Sequence, residues 1–252
     1  MSFFKKNLPI KKFNFSKKSS GGRNNTGSVT VKNLALGHKK NYRILDFFRT
    51  VRNIPGKVRR LEYDPNRNSY IALVCYKNSM LSYTLAYEGI KINDIFIVSN
   101  HILPKVGNST IISKMPIGIY IYNLEYFPNS GSKIARSGGS FCQILKKYSE
   151  DYILIRLRSK EYRLFYKNNY ATYGIVINKY KKFEKMYKAG QNIYKGIKPH
   201  VRGEAMNPVD HPHGGNTSGG RHPATFSGKL AKGIKTRLKT KVSNNFIVRR
   251  KK

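Results

Sequence analysis

The sequence predicts a mainly β fold built from small barrels or a sandwich, rather than a helical or α/β fold. Seven short segments between residues 70 and 178 are rich in β-branched and aromatic residues and are bounded by Gly, Asn, Pro, Ser or Lys. They are YIALVCY (70–76), MLSYTLAY (80–87), DIFIVS (94–99), IGIYIYNL (117–124), YILIRLR (152–158), YRLFY (162–166) and YGIVIN (173–178). Short strands at this spacing, with hairpin-length loops at Lys77–Ser79 and Ser159–Glu161, are typical of antiparallel β domains.

Two further features complete the predicted order of elements. GNST (107–110) separates two groups of strands and predicts a junction between two barrels. After the last strand, Phe183, Met186 and Tyr187 recur at helical spacing, which predicts one short helix around Lys181–Lys188.

The chain is strongly positive. Its 252 residues include 49 Lys and Arg against 12 Asp and Glu, for a formal net charge of +37 at pH 7. Self-repulsion on this scale opposes compaction, so the sequence predicts a polyanionic partner. No apolar run approaches the roughly 18 residues of a membrane-spanning helix, and no long basic amphipathic helix is apparent. The predicted partner is therefore nucleic acid and not a membrane.

The positive charge is concentrated at the two ends. Residues 1–60 carry 16 basic side chains against 1 acidic, residues 181–252 carry 18 against 3, and residues 61–105 carry 4 of each. Large apolar residues are few in 18–41 and 196–240, so these segments either stay disordered in isolation or fold against RNA. The first twenty residues are a basic arm or a transit peptide, and their lack of Arg favours the arm.

MNPVDHPHGG (206–215) concentrates His and Asp in one stretch. Zinc binding is disfavoured, because Pro212 holds the two imidazoles on extended backbone and no further ligands occur at suitable spacing. A hydrolytic dyad of Asp210 with His211 or His213 lacks a nucleophile elbow and a Walker-type phosphate loop. RNA recognition fits every residue type present, because imidazoles can stack on bases and glycines allow close backbone approach. The glycines concerned are Gly214, Gly215, Gly219 and Gly220.

The same residue types recur near the N-terminus, in GGRNNTG (21–27) and GHKKNYRILDFFR (37–49). Glycine gives access, Lys and Arg supply charge, and Asn offers hydrogen bonds to base edges, although a solvated basic loop is the alternative. Cys75 and Cys142 lie in apolar stretches without CxxC spacing, so they are predicted to be core residues.

Nine stretches of the chain resemble the large-subunit ribosomal protein L2 family (uL2) of bacteria and organelles. They are SGGRNNTG, GHKKNYRILDFFR, RRLEYDPNRN, IALVCYK, GNSTIISKMPIG, KIARSGGSFCQI, RLRSKEYR, KAGQNIYKGIKPHVRGEAMNPVDHPHGG and NNFIVRR. They occur in order from about residue 20 to the C-terminus, so the resemblance covers nearly the whole chain.

The resemblance implies an OB-like barrel at 37–105 followed by an SH3-like barrel at 106–180, between a basic N-terminal arm (1–36) and a basic C-terminal extension (181–252). It implies a structural constituent of the large ribosomal subunit that binds rRNA, supports subunit assembly and association, and helps shape the peptidyl-transferase region. The implied partners are large-subunit rRNA, other large-subunit proteins, the small subunit across an intersubunit bridge, and the tRNA region nearby.

The resemblance also implies which residues contact rRNA. They are Arg23, Asn24, Asn25, His38, Lys39, Lys40, Arg43, Arg136, Arg202, Asn207, Asp210, His211, His213, Gly214, Gly215, Arg221, Lys235, Arg237, Arg249 and Arg250. The chain is expected to be no enzyme and to need no cofactor, with Mg²⁺ only as an rRNA-associated ion. The alternatives are a catalytic role of His211 or His213 in peptidyl transfer and a free-standing RNA-binding module.

The chain departs from the family pattern in three places. The arm before SGGRNN is short for bacterial members, LALGHKK has one glycine where a triple-glycine run is usual, and NTSGGR (216–221) replaces the usual GEGR. The short arm and the heavy use of Lys, Asn, Ile, Tyr and Phe predict an organelle-encoded mitochondrial protein. A plastid-type organelle or the cytoplasm of an AT-rich bacterium is the alternative location.

Overall fold

The computed structural model describes residues 9–216 and 221–250, and short antiparallel strands dominate its regular structure. The strands are β1 (Asn14–Lys17), β2 (Lys40–Arg43), β3 (Gly56–Glu62), β4 (Ile71–Tyr76), β5 (Leu81–Leu85), β6 (Ile95–Phe96), β7 (Ser109–Ile111), β8 (Tyr120–Tyr122), β9 (Leu124–Glu125), β10 (Ser132–Ile134), β11 (Cys142–Lys147), β12 (Tyr152–Arg156), β13 (Tyr162–Tyr166), β14 (Tyr170–Tyr173) and β15 (Ile247–Arg249). The predicted fold class, mainly β with an OB-like and an SH3-like part, is confirmed.

Helical structure is sparse in these described ranges. The α-helix α1 covers Gly190–Tyr194. Short 3-10 segments occur at Lys11–Phe13, Ile112–Lys114, Lys179–Phe183, Gly203–Ala205 and Val242–Asn244. Across residues 9–216 and 221–250, none of the helices has the length and apolar character needed to cross a membrane.

A four-stranded antiparallel sheet has the strand order β5-β4-β3-β6. The predicted hairpin loop between β4 and β5 is confirmed, because the Tyr76 N–H bonds Met80 O at 2.9 Å and Ser79 takes a positive φ of 61°. Inward side chains from all four strands form the first hydrophobic core, and they include Val58, Val74 and Tyr83.

A seven-stranded sheet with the order β15-β13-β12-β11-β8-β14-β7 surrounds a second core. β12 and β13 pair in register from Tyr152↔Tyr166 to Arg156↔Tyr162, and the predicted loop at Ser159–Glu161 joins them. Because inward positions along these strands carry Ile121, Ile144, Ile155 and Phe165, the sheet buries a continuous apolar face.

The chain folds into two compact units. The β unit comprises residues 1–17, 40–185 and 245–252, and both hydrophobic cores lie in it. The extension unit comprises residues 18–39 and 186–244. Among its described residues no hydrophobic side chain is buried, and the buried positions are Gly22, Gly196, Gly214 and Ser243.

Two local predictions were wrong. Residues 181–188 do not form the expected helix, because a 3-10 segment ends at Phe183 and the chain is then irregular up to α1. Phe183, Met186 and Tyr187, which would form the apolar face of that helix, are 66%, 46% and 86% exposed. They therefore bury too little apolar surface to stabilise a helix. YGIVIN is also no continuous strand, since β14 ends at Tyr173 and the following residues make only an isolated bridge between Val176 and Tyr87.

Candidate nucleic-acid interface

The residues implied to contact rRNA are divided between the two units. The β unit holds Lys40, Arg43, Arg136, Arg249 and Arg250, and the extension unit holds the other fifteen.

A glycine-supported loop at 20–31 presents the first set of polar residues in the extension unit. Gly22 has a φ of 81°, and a Cβ there would lie 2.2 Å from Val31 O, so the chain can close on itself only with glycine at this position. The Asn24 side-chain oxygen accepts hydrogen bonds from the Thr26 N–H at 3.0 Å and the Ser28 N–H at 2.9 Å. Asn24 therefore organises the loop with its side-chain oxygen, and the neighbouring Arg23 and Asn25 side chains are exposed.

Residues 34–38 cross residues 194–197 in an antiparallel arrangement. The Ala35 N–H bonds Gly196 O at 2.7 Å, and the His38 N–H bonds Tyr194 O at 2.9 Å. Gly37 has a φ of 64°, and a Cβ there would lie 2.7 Å from Gly196 N. The crossing therefore depends on backbone packed directly on backbone. It also fixes the backbone position from which the His38 and Lys39 side chains extend.

Backbone hydrogen bonds shape the loop that contains His211 and His213. The Gly214 N–H bonds His211 O at 2.9 Å, and the Gly215 N–H bonds Met206 O at 3.1 Å. A Cβ at Gly214 would lie 2.3 Å from Asn207 O, so the second half of the loop packs tightly on the first. Glycine is therefore needed at position 214 for packing within the chain, while the predicted close approach of this backbone to RNA stays a prediction.

The two imidazoles of this loop are half-buried and lie side by side, with ring centroids 4.8 Å apart. His211 Nδ1 accepts a hydrogen bond from the His213 N–H at 3.0 Å, so Nδ1 is unprotonated in this arrangement. Desolvation, then the proximity of His213 and of Lys32, lower the pKa of His211 below its ordinary value. A neutral His211 is consistent with a ring that holds backbone in place.

Arg221 and the chain after it hold the loop from the other side. One guanidinium nitrogen of Arg221 donates to the backbone oxygens of Pro212 and Gly214. His213 Nε2 lies 3.2 Å from the Ala224 nitrogen and 3.0 Å from His222 O. Arg221 thus has a structural role in addition to its positive charge.

Neither a metal site nor a hydrolytic dyad forms among the described residues. No group of three or more His, Cys, Asp or Glu side chains lies close enough there to hold a metal ion. Asp210 is exposed, and in residues 9–216 and 221–250 its carboxylate contacts neither imidazole. The arrangement can bind through hydrogen bonds and charge, and it shows no oriented general base.

The remaining implied residues differ in how available their side chains are. Lys235 and Arg202 are exposed, while the Arg237 guanidinium bonds the side chains of Ser243 at 2.8 Å and Asn244 at 2.5 Å. In the β unit, Lys40 and Arg43 lie on β2, and Arg249 lies on β15 with Arg250 directly after it. The Arg136 guanidinium lies 4.7 Å from the centre of the Phe47 ring.

Sequence reasoning missed two basic residues of the extension unit. Lys32 Nζ lies 5.1 Å from the centre of the Phe226 ring and 3.9 Å from Met206 Sδ, so it joins residues far apart in sequence. Lys198 borders an open groove with Tyr194. Lys32 lies in the basic segment 18–41, and Lys198 lies in one of the stretches that resemble the family. Only the folded structure shows which distant residues surround each of them.

Gly219 and Gly220, together with Thr217 and Ser218 of the unusual NTSGGR stretch, lie outside the described residues. The predicted role of these two glycines therefore stays a prediction.

Comparisons with known proteins cover nearly the whole chain. Residues 11–98 match the family model "Ribosomal Proteins L2, RNA binding N-terminal domain", and residues 105–233 match "Ribosomal Proteins L2, C-terminal domain". The chain is 47% identical over 243 residues to the large ribosomal subunit protein uL2 of Wolbachia sp. subsp. Brugia malayi, which covers 95% of this chain and 88% of that protein. It is 45% identical over 246 residues to the uL2 protein of Azorhizobium caulinodans, with 96% and 88% covered.

Proposed function

This chain belongs to the ribosomal protein L2 family, and on that premise we propose that it binds large-subunit rRNA mainly through the extension unit. As a member of this family it is a structural, rRNA-binding constituent of the large ribosomal subunit. The observation that supports the extension unit as the main contact is its lack of buried hydrophobic side chains, among the described residues, in a strongly basic segment. Loops that expose Lys, Arg and Asn without a core of their own suit a partner that supplies both charge and packing surface.

The proposed division of labour follows the charge and the fold. In this proposal 37–105 is the OB-like barrel, 106–180 the SH3-like barrel, and 1–36 and 181–252 are the basic arm and extension that contact rRNA. Parts of the arm and the extension also pair within the β unit, as β1 and β15. The basic residues named above neutralise phosphates, whereas Asn24, Asn25, Asn207 and the loop imidazoles contact bases, sugars or phosphates. Gly214 and Gly215 shape the loop rather than supply a contact through side-chain chemistry.

We also propose that the loop with His211 and His213 helps shape the peptidyl-transferase region near tRNA and that the protein supports association with the small subunit. Neighbouring large-subunit proteins complete its environment. The chain is proposed to be no enzyme, because its half-buried imidazoles hydrogen-bond backbone and, within the described part of the chain, the Asp210 carboxylate contacts neither ring.

Single replacements of His211 and His213 distinguish a role in shaping the peptidyl-transferase region from a direct role in catalysing peptidyl transfer. Large subunits are assembled with each variant, and single-turnover peptidyl transfer is measured alongside assembly. The proposal expects any loss of transfer to follow a loss of assembly. Normal assembly with much slower transfer would contradict it and favour direct catalysis.

For location, we propose the mitochondrial ribosome, with a plastid-type organelle or a bacterial cytoplasm as the alternatives. The relatives compared above are bacterial, so support for an organelle comes from residue usage alone. Locating the coding sequence in an organellar, nuclear or bacterial genome decides between these locations.

Cosedimentation with large subunits at increasing salt tests the main proposal. An integral rRNA-bound protein adds packing and uncharged hydrogen bonds to its phosphate contacts and stays with the subunit, whereas an accessory module held mainly by charge is removed as counterions compete. Complete release at moderate salt would contradict the proposal.

A further inference from the structure

An open groove in the extension unit has a surface suited to one unpaired nucleotide. It has a volume of about 680 Å³ and lies where residues 34–38 cross residues 193–198, beside Gly21 and Arg23. This volume falls within the range of small-molecule sites, which is roughly 300 to 1,000 Å³. The groove lies wholly inside one compact unit.

One part of the groove is apolar and exposed. Leu36 is 69% exposed, Ile193 52% and Tyr194 73%. Exposed apolar and aromatic side chains grouped in a concave surface mark a binding site more often than chance exposure does. The flat Tyr194 ring offers a stacking surface that a nucleobase can cover.

The groove is also cationic. Its cations are Arg23 and Lys198, and no acidic residue occurs in 18–39 or 186–203. An anionic occupant is therefore favoured over an uncharged or cationic one. A nucleotide combines the two required properties, because its base is flat and apolar on both faces while its phosphate is negative.

The glycine crossing beneath the groove places these side chains. Gly37 and Gly196 both have positive φ, and a Cβ at Gly196 would lie 2.8 Å from Ala35 O. The hydrogen bond from the His38 N–H to Tyr194 O links the basic and aromatic walls directly. The backbone of the crossing thus places the basic and aromatic walls next to each other.

We propose that this groove binds an unpaired nucleotide of large-subunit rRNA, whose base stacks on Tyr194 and whose phosphate meets Lys198 and Arg23. A base held in a duplex cannot reach the apolar floor, so the target is a bulge, loop or single-stranded segment. This inference rests on the proposed function and adds to it a specific recognition site.

The test measures the affinity of the full chain for in vitro transcribed large-subunit rRNA across a range of salt concentrations. Tyr194→Ala should weaken binding by roughly 5- to 150-fold at every salt concentration, because stacking of one base is lost. The slope of log affinity against log salt should stay unchanged, since no phosphate contact is removed. Tyr194→Phe, which keeps the ring, should bind like the unaltered chain.

Two further variants complete the design. Lys198→Gln should make the salt slope shallower by about one phosphate contact. Tyr187→Ala is the matched control, because Tyr187 is 86% exposed in the same unit but does not line the groove. It should change affinity by less than about twofold.

The results separate this site from the general function. If the unaltered chain binds rRNA but Tyr194→Ala binds equally well, the groove proposal is wrong and rRNA binding stands. Equal losses for Tyr187→Ala and Tyr194→Ala, or a loss accompanied by a shallower salt slope, would also overturn it in favour of a diffuse or structural role. Failure of the unaltered chain to bind rRNA would instead contradict the proposed function itself.

Discussion

At the scale of single residues, Arg49 shows how a charged side chain is used in the interior of the β unit. Its guanidinium donates to the Ser132 and Thr172 side chains and to the Asn123 backbone oxygen, and it lies 3.8 Å from a Glu125 carboxylate oxygen. Desolvation lowers its pKa to about 10, against an opposing effect of Glu125, so the side chain remains charged at pH 7. The sequence assigned Arg49 only to a basic stretch, because a buried role for Arg depends on distant partners.

Removing one partner of this buried pair should cost much more stability than removing one partner of an exposed pair. Arg49→Gln leaves Glu125 buried without its cation, so we expect a loss of about 3–5 kcal/mol in the free energy of unfolding. The control is Lys167→Gln, because Lys167 and its partner Asp151 are 42% and 71% exposed, and it should cost at most about 1 kcal/mol. Denaturant unfolding of both variants provides the comparison, and equal losses would refute the structural role of Arg49.

At the scale of elements, the strands were predictable where burial and residue type agree. YRLFY is β13 as predicted, and both predicted hairpin loops are present. β3, which has the sequence GKVRRLE, was missed because three of its side chains are basic, although Val58 is fully buried. The helix predicted around 181–188 was wrong although its apolar residues have helical spacing. Five lysines occupy 179–188 and repel one another, and the apolar side chains of the segment stay exposed.

The C-terminal strand β15 offers a prediction at this scale. Phe246, directly before β15, lies 5.7 Å from the Tyr166 ring and 6.0 Å from the Tyr152 ring, and its backbone oxygen accepts a bond from the Leu164 N–H at 2.8 Å. Phe246→Ala should therefore detach β15 from β13 and lower the free energy of unfolding by about 1–3 kcal/mol.

The matched control for this strand is Val248→Ala, because Val248 lies on β15 and is 49% exposed. It should cost less than about 1 kcal/mol. Hydrogen exchange of the Leu164 amide measures the detachment directly. Unchanged protection of that amide in Phe246→Ala would show that backbone pairing alone holds the strand.

At the scale of the whole molecule, charge and composition were enough to predict an RNA-binding protein, but not its internal geometry. The basic ends and the glycine-rich motifs are visible in the sequence. In contrast, the groove at Tyr194 exists only because 34–38 crosses 193–198, and Lys32 meets Phe226 only because the extension unit brings distant segments together. Such long-range pairings leave no local pattern, so residue types indicated the partner while the structure was needed to locate the groove.

The contrast between the two units predicts how the free protein responds to protease. Both hydrophobic cores lie in the β unit, whereas the described part of the extension unit buries no hydrophobic side chain, so local opening there costs little free energy. Trypsin should therefore cleave the free chain within 186–244 at least about tenfold faster than within 40–185.

Large-subunit rRNA should suppress the fast cleavage, because phosphates neutralise the repulsion and bases cover the exposed rings. An unrelated RNA duplex at equal phosphate concentration is the control and should protect less. Equal resistance of both segments without RNA would mean that the extension unit is stable by itself, and its dependence on rRNA would then be refuted.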